Sequence, residues 1–419
     1  MPTAGDVSNR IRREAGSAVR DTAAEPSVPE GVVIEDGLNE REAVAIALWN
    51  NPAFQESLSD LGVARADLVQ AGLFRNPVLS LLLPWGPKQL EATARWPIDA
   101  LWQRPARIAA ARLGVEAIAE RLVANGLNLV AEARLAYVAT VRARALLLLS
   151  EENAQFSRRI ADLSRSRFKA GDISELEAET ADTDGARAEL EARRSAMEAA
   201  LAENVLFQIL GLAERVRPVA LRLADEPALA VSCDDVAVTA LEQEALAARP
   251  DLRAAELEIE AAARRLGWER SRVLSLVALL DYNAEGKEGG ELGPGIETDF
   301  GLFDRNQAGV MRASAELNRA RARYQTRRQQ IVRDVRDAYS ALTTASASAA
   351  RWREDVRPRL ERQAGQTQRA YELGELSYLA VIESLRRLNQ GRVSELDASI
   401  SMRRAVIQLE HRIGRSCTP

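Results

Sequence analysis

Two short stretches, Val78-Leu79-Ser80-Leu81-Leu82-Leu83-Pro84-Trp85-Gly86-Pro87 and Val273-Leu274-Ser275-Leu276, decide how this chain is read. Both open on Val-Leu-Ser-Leu. In the first, Leu79, Leu81 and Leu83 fall on one face at period two, the spacing of a strand. Trp85-Gly86-Pro87 signals a turn. Leu90, Ala92, Ala94, Trp96 and Ile98 then alternate with Glu91, Thr93, Arg95 and Pro97. The pattern predicts a β-hairpin over 76–100, apolar on one face and largely polar on the other. Its strands run to about nine to eleven residues, the length a tilted strand needs to cross a membrane. In the second stretch Leu274, Leu276, Ala278, Leu280 and Tyr282 form the apolar face, and residues 286–295 read as a glycine-rich turn. Ile296, Thr298, Phe300 and Leu302 alternate with Glu297 and Asp299, which gives a second hairpin over 273–303.

Outward from the hairpins the chain is helical, twice over. A helix fits 39–73, where Pro52 imposes a break or kink. Residues 104–168 have no proline after Pro105 and form one helix about 100 Å long. Gly171-Asp172 punctuates it, and a return helix fits 174–210. After a linker with Pro218 and Pro227, helix 236–272 again carries a proline, Pro250. A second long helix covers 305–372, Gly374 ends it, and 377–413 returns. Trp102-Gln103-Arg104 matches Phe303-Asp304-Arg305, Ala136-Tyr137 matches Ala338-Tyr339, and Phe168 and Gly171 match Tyr371 and Gly374. One offset of about 200 residues serves all of them, the signature of a duplication. The expected organisation is an extended arm over 1–37, which lacks periodicity, and a first repeat over 38–213 with a turn near 171. A linker over 214–235, a second repeat over 236–414 with a turn near 374, and a tail over 415–419 follow.

Composition removes several functions. The 419 residues carry a net charge of -5, which argues against nucleic acid as a partner. Arginines between Arg319 and Arg328 read instead as a solvated helix face, interleaved with Glu316 and Asp334. One histidine, His411, and two cysteines, Cys233 and Cys417, supply neither a metal or haem ligand set nor a disulfide framework. No nucleophile–base pair stands out, so an enzyme is the weakest reading. No apolar run approaches the ~20 residues of a membrane helix. The N-terminus has neither the apolar core of an export signal nor a cysteine for lipid attachment. Aromatics are 5% and alanine roughly one residue in six, which suits long helices that approach closely.

Val332, Val335, Tyr339, Leu342, Ala345, Ala349, Trp352, Val356 and Leu360 recur at three and four, a coiled-coil seam. Both hairpins are expected at one pole and both glycine turns at the other. Four strands cannot close a membrane barrel, whose minimum is about eight, so the missing strands must come from other subunits. Trp85, Trp96, Trp102 and Trp268, with Tyr282, lie in or beside the hairpins, as membrane-interface aromatics do. A soluble coiled-coil scaffold and a periplasmic adaptor are the alternatives. The first leaves the leucine-faced hairpins unexplained, and the second carries one helical hairpin rather than two.

The duplicated order, the Asn51-Pro52 and Arg249-Pro250 helix starts, Phe303-Asp304-Arg305-Asn306-Gln307 after the hairpin, and the paired glycine turns resemble the outer-membrane efflux protein family, TolC-like. The resemblance implies a mainly α chain with a transmembrane β portion. Three copies would form a homotrimer whose 12-stranded barrel, four strands per chain, continues into a long α-helical barrel. It implies a passive exit duct without cofactor, seated in outer-membrane lipid and reaching into the periplasm. A periplasmic adaptor and an inner-membrane transporter are its partners. Carried over from the family, Glu177, Tyr371 and Glu383 belong to a gate at the periplasmic tip, a solvated helix face being the alternative for the two carboxylates. Leu376 and Ala380 replace the family's arginine link and its other acidic ring residue, so packing would have a larger share in holding the gate. Glu91, Arg95, Glu297 and Asp299 would face the barrel lumen and give it a mild cation preference.

Overall fold

A computed structural model describes residues 2–20, 27–32, 37–83, 85, 90–214, 237–273, 275–285, 289–299, 302–373, 375–376 and 378–414. The linker after residue 214, Cys233, Cys417 and the tail fall outside them, as do the side chains of Tyr371 and Glu372.

The prolines break helices rather than bend them. α2 (Glu40–Asn50) begins where Asn39 accepts the Glu42 N–H and the Glu42 carboxylate accepts the Asn39 N–H, both at 2.9 Å. α3 (Pro52–Gly72) starts afresh with Pro52 in its first position, where the missing N–H costs nothing. The second half repeats this with α6 (Val238–Ala248) and α7 (Pro250–Ser271). The 1–37 segment differs from the extended arm expected of it. Ala4–Ala15 is helix α1, capped by Thr3 and Asp6, and it buries Val7 and Ile11. Its apolar residues are few but stand four apart, enough to dock one stripe.

Four strands follow the predicted places: β1 (Val78–Leu82), β2 (Glu91–Pro97), β3 (Ser275–Glu285) and β4 (Gly289–Asp299). β1 and β2 are shorter than the nine to eleven residues expected, being bounded by Pro77 and Pro97. β4 is longer, because residues 289–295 are strand and not turn. Tyr282 lies over Gly290, where a Cβ would stand 2.4 Å from its hydroxyl, so the glycine is covered by a ring instead of weakening the strand. The sheet is an antiparallel meander, β1-β2-β3-β4, in which the two hairpins are joined through β2 and β3.

α4 (Ala100–Ala170) has 71 residues, roughly 107 Å of helix, and admits Pro105 in its second turn. α5 (Glu175–Ile209) returns against it, and Gly185 lies within contact of Ala161, the close approach that alanine-rich faces allow. The second long helix is α8 (Gln307–Arg351), a π-helical turn (Trp352–Val356) and α9 (Arg357–Glu372), followed by α10 (Tyr378–Ile413). Pro358 explains the interruption: it has no N–H to donate and its ring crowds the carbonyl four residues back. The seam runs through it. Ile331, Val335, Ala338, Leu342 and Ala349 are buried, and the next fully buried position is Ala364. Two heptads from Ala349 lead to residue 363, so the π turn absorbs one extra residue. Beyond it Leu360 packs where Gly391 of α10 has no side chain.

The chain gathers into two compact units. The first takes Met1–Val7, Glu56–Ala124 and Arg249–Gln330, and buries Leu58, Leu61, Leu122, Leu252 and Leu317. The second takes Ser8–Gln55, Asn125–Ala248 and Ile331–Pro419, and buries Tyr137, Leu206, Leu241, Val335, Leu342 and Leu409. Among the described residues no helix is long and apolar enough to cross a membrane, which says nothing about the sheet.

Candidate functional site

Register assigns each strand residue to a face. Leu79, Leu81, Ala92, Ala94, Trp96, Ala278, Leu280, Tyr282, Leu292 and Ile296 share one. Most are exposed in the single chain, Leu79 to 66% and Ile296 to 70%. An apolar face this broad needs a non-aqueous cover. At a strand tilt near 45° the eleven residues of β3 span about 25 Å, the height of an outer-membrane apolar band.

The opposite face carries the charge. Glu91, Arg95, Glu297 and Asp299 lie there together, on the side opposite the leucines. Arg95 and Glu297 pair at 3.4 Å, and Ser275 donates to Asp299 at 3.0 Å. Asp281 and Glu291 join them, although the sequence reading passed them over. Asp281 lies between Leu280 and Tyr282, so parity alone places it; Glu291 was concealed among the glycines. Among the described residues the face thus sets five carboxylates against one guanidinium.

The aromatics take two levels along the strands. Trp85 follows β1, and Tyr282 stands opposite Ala92 and Leu292 toward the hairpin ends. Trp96 is near the foot of β2, Trp102 in the first turn of α4, and Trp268 near the end of α7. Arg272 covers the Trp268 ring at 5.2 Å from its centroid.

At the feet of the hairpins the two halves secure their corners differently. Arg104 donates to the Gly72 carbonyl at 2.7 Å, and Arg107 to those of Ala71 and Leu73, closing the end of α3. In the second half Asn306, at φ 57°, performs this task for α7 by donating to the Glu269 carbonyl at 2.8 Å.

Of the residues expected at the tip, Glu177 follows the turn at Gly171 and Glu383 lies on α10. Gly171 (φ +83°) ends α4, and Ser174 caps α5. Glu177 is the reciprocal member of that cap. Its carboxylate accepts the Ser174 N–H at 2.9 Å, which with the Ser174 hydroxyl holds its pKa below the usual carboxylate value. Glu383 accepts from Arg387 at 3.0 Å and lies 3.7 Å from Arg386, both on its own helix. Arg386 also reaches across to Asp184 of α5 at 2.7 Å, a link between the two return helices that the sequence reading missed. The Tyr371 side chain lies outside the described residues. Leu176, Leu373, Leu376 and Leu379 are all exposed at the two turns.

A second charged cluster joins α2, α4 and α10. Arg134 pairs with Glu40 at 2.5 Å and with Glu410 at 2.7 Å, and Arg403 reaches Glu40 at 2.6 Å. Burial acts to raise the Glu40 pKa, but the guanidinium groups of Arg134 and Arg403 outweigh it and hold the carboxyl below its usual range. This is a brace between helices. Among the described residues no cluster of His, Cys, Asp and Glu forms a metal site.

Comparison with known proteins agrees with the fold. Residues 241–415 match the family of outer membrane efflux proteins. The cobalt-zinc-cadmium resistance protein CzcC of Cupriavidus metallidurans is 24% identical over 381 residues, 89% of each chain. The crystal structure of CusC superposes with a TM-score of 0.74 at 19% identity, covering 94% of this chain and 97% of that one. The outer membrane protein VceC of Vibrio cholerae gives 0.73 at 19%, covering 90% and 96%.

Proposed function

We propose that the chain is an outer membrane efflux protein, a duct reaching from the outer membrane into the periplasm, and that three copies form a cation-preferring exit channel for divalent metal ions. Such channels are trimers that work with an adaptor and an inner-membrane pump, and they conduct passively, without catalysis. In one chain β1 and β4 are the sheet edges, and their free N–H and C=O groups cannot remain unpaired in hydrocarbon. Pairing β4 of one copy with β1 of the next closes twelve strands around the charged face. The adaptor and pump of this chain would be its periplasmic adaptor and inner-membrane transporter, engaging the helical part.

The observation that carries the cation reading is the five-to-one excess of carboxylates among the described residues of the polar sheet face. Rings of acidic side chains concentrate cations and repel anions. The metal-resistance relative supports metal ions as the cargo. Reconstituted in a planar bilayer under a potassium chloride gradient, the protein should give a reversal potential of cation sign. Replacing Asp281, Glu291 and Glu297 by lysine leaves two carboxylates against four cations among the described residues of that face and should reverse the sign. Anion selectivity in the unmodified channel would overturn the proposal. Loss of zinc, cobalt and cadmium tolerance on deletion tests the cargo; unchanged tolerance to all three would remove metal ions from it.

A further inference from the structure

We infer that a cleft at the foot of the second hairpin holds the phosphate headgroup of an anionic phospholipid. The cleft, of about 530 Å³, lies between the end of α7 and the start of α8 and is lined by Arg265, Trp268, Arg272 and Arg312 with Glu269 and Glu316. The two carboxylates are taken: Arg272 pairs with Glu269 at 3.0 Å, and Arg265 with Glu316 at 3.4 Å. Two donors are left. Arg312 makes no ion pair among the described residues, and the Trp268 indole Nε1–H is buried without an acceptor there. A buried donor without an acceptor is costly. An oxyanion satisfies both donors at once, and phosphate offers three or more acceptor oxygens to indole and guanidinium.

The first half shows that this cleft is not a generic feature of the corner. There Arg104 and Arg107 spend their donors on the carbonyls that end α3. In the second half Asn306 takes over that task, and Gly309 makes room for it: a Cβ there would stand 2.3 Å from the Asn306 carboxamide oxygen. The arginines are thereby left to line the cleft.

Surroundings select a lipid over free phosphate. Trp268 is seven residues before β3, and Asn306 seven after β4, so the cleft adjoins the membrane-facing sheet. Val273, Leu302 and Phe303, which flank it in sequence, are exposed to 44%, 72% and 92%. Basic donors beside exposed apolar side chains suit a headgroup with its acyl chains. The inference draws on the membrane placement of the sheet and is independent of the cargo.

The test is native mass spectrometry of the intact protein in neutral detergent, titrated with phosphatidylglycerol or phosphatidylcholine. Phosphatidylglycerol should saturate at one per chain and phosphatidylcholine should not. Arg312→Gln should weaken that binding about tenfold, and Trp268→Phe, which keeps an aromatic ring but removes the donor, about threefold. The oligomer mass should be unchanged in both. Equal retention of the two lipids, displacement of phosphatidylglycerol by equimolar inorganic phosphate, or undiminished binding by Arg312→Gln would each overturn the inference. So would loss of the oligomer in Arg312→Gln, since it would assign Arg312 to a subunit contact.

Discussion

Replacing Glu40 by Gln tests the brace between α2, α4 and α10. The glutamine removes the charge, keeps one acceptor oxygen and turns the other into an NH2 donor facing a guanidinium, so both arginine contacts are weakened. Arg134 then retains Glu410, whereas Arg403 loses the carboxylate it pairs with. All of these side chains are mostly buried: Glu40 is 16% exposed, Arg403 22% and Arg134 28%. Charge-assisted hydrogen bonds contribute roughly 1.5–3 kcal/mol against about 1 for neutral ones, so two weakened bonds amount to about 2–3 kcal/mol. Guanidinium unfolding followed by helical circular dichroism reads the loss. The pH dependence is the sharper arm. A depressed carboxylate pKa stabilises the fold above its unfolded value, near the usual 4.5, and that contribution fades as pH falls through the lower folded value. The gap between wild type and Glu40→Gln should therefore be full at neutral pH and close progressively below about pH 4.5. A gap that stays constant to pH 3, or one under 0.5 kcal/mol at pH 7, would refute the assignment of the brace to Glu40.

Gly211→Ala should cost about 3 kcal/mol in the same unfolding assay, because φ is +68° and the new Cβ would meet the Asn50 carbonyl oxygen at 2.5 Å. Gly126→Leu should release α1, since even a Cβ there stands 2.6 Å from Ile11; limited proteolysis should then cleave within the first 20 residues, and Gly126→Ala should leave them protected. The Asp184–Arg386 link is half exposed, with Arg386 at 59%, so a double-mutant cycle with Asn and Gln should give a coupling of about 0.5 kcal/mol. Coupling above 2 kcal/mol would mean that the pair is shielded in the assembled channel.

Much of this was legible from local rules. Period-two alternation placed β2 and β3, Pro52 and Pro250 placed the helix starts, and Gly171 placed the turn, because each is a property of a few adjacent residues. What escaped depended on neighbours distant in sequence. Glycines 289–295 become strand only because β3 lies alongside and Tyr282 covers Gly290. α1 is helical where Ile11 finds Gly126. The π turn needed Pro358 to be weighed, and a heptad count alone runs through it. Glu177 looked like a gate acid by position, yet Ser174 three residues earlier already marked it as a helix cap. The polar sheet face was read in part; Asp281 and Glu291 join it by strand parity.

The way the second unit is stitched has a consequence for biogenesis. It is assembled from three separated stretches of chain, and its brace joins Glu40 to Arg403 across 363 residues. Closing so long a loop must precede any reward from the contact, which makes such folding slow. A chain emerging N-terminus first holds Glu40 and Arg134 exposed until α10 arrives with Arg403 and Glu410. The unit therefore folds only after nearly the whole chain has been translocated. During that interval its alanine-faced helices depend on chaperones to remain apart.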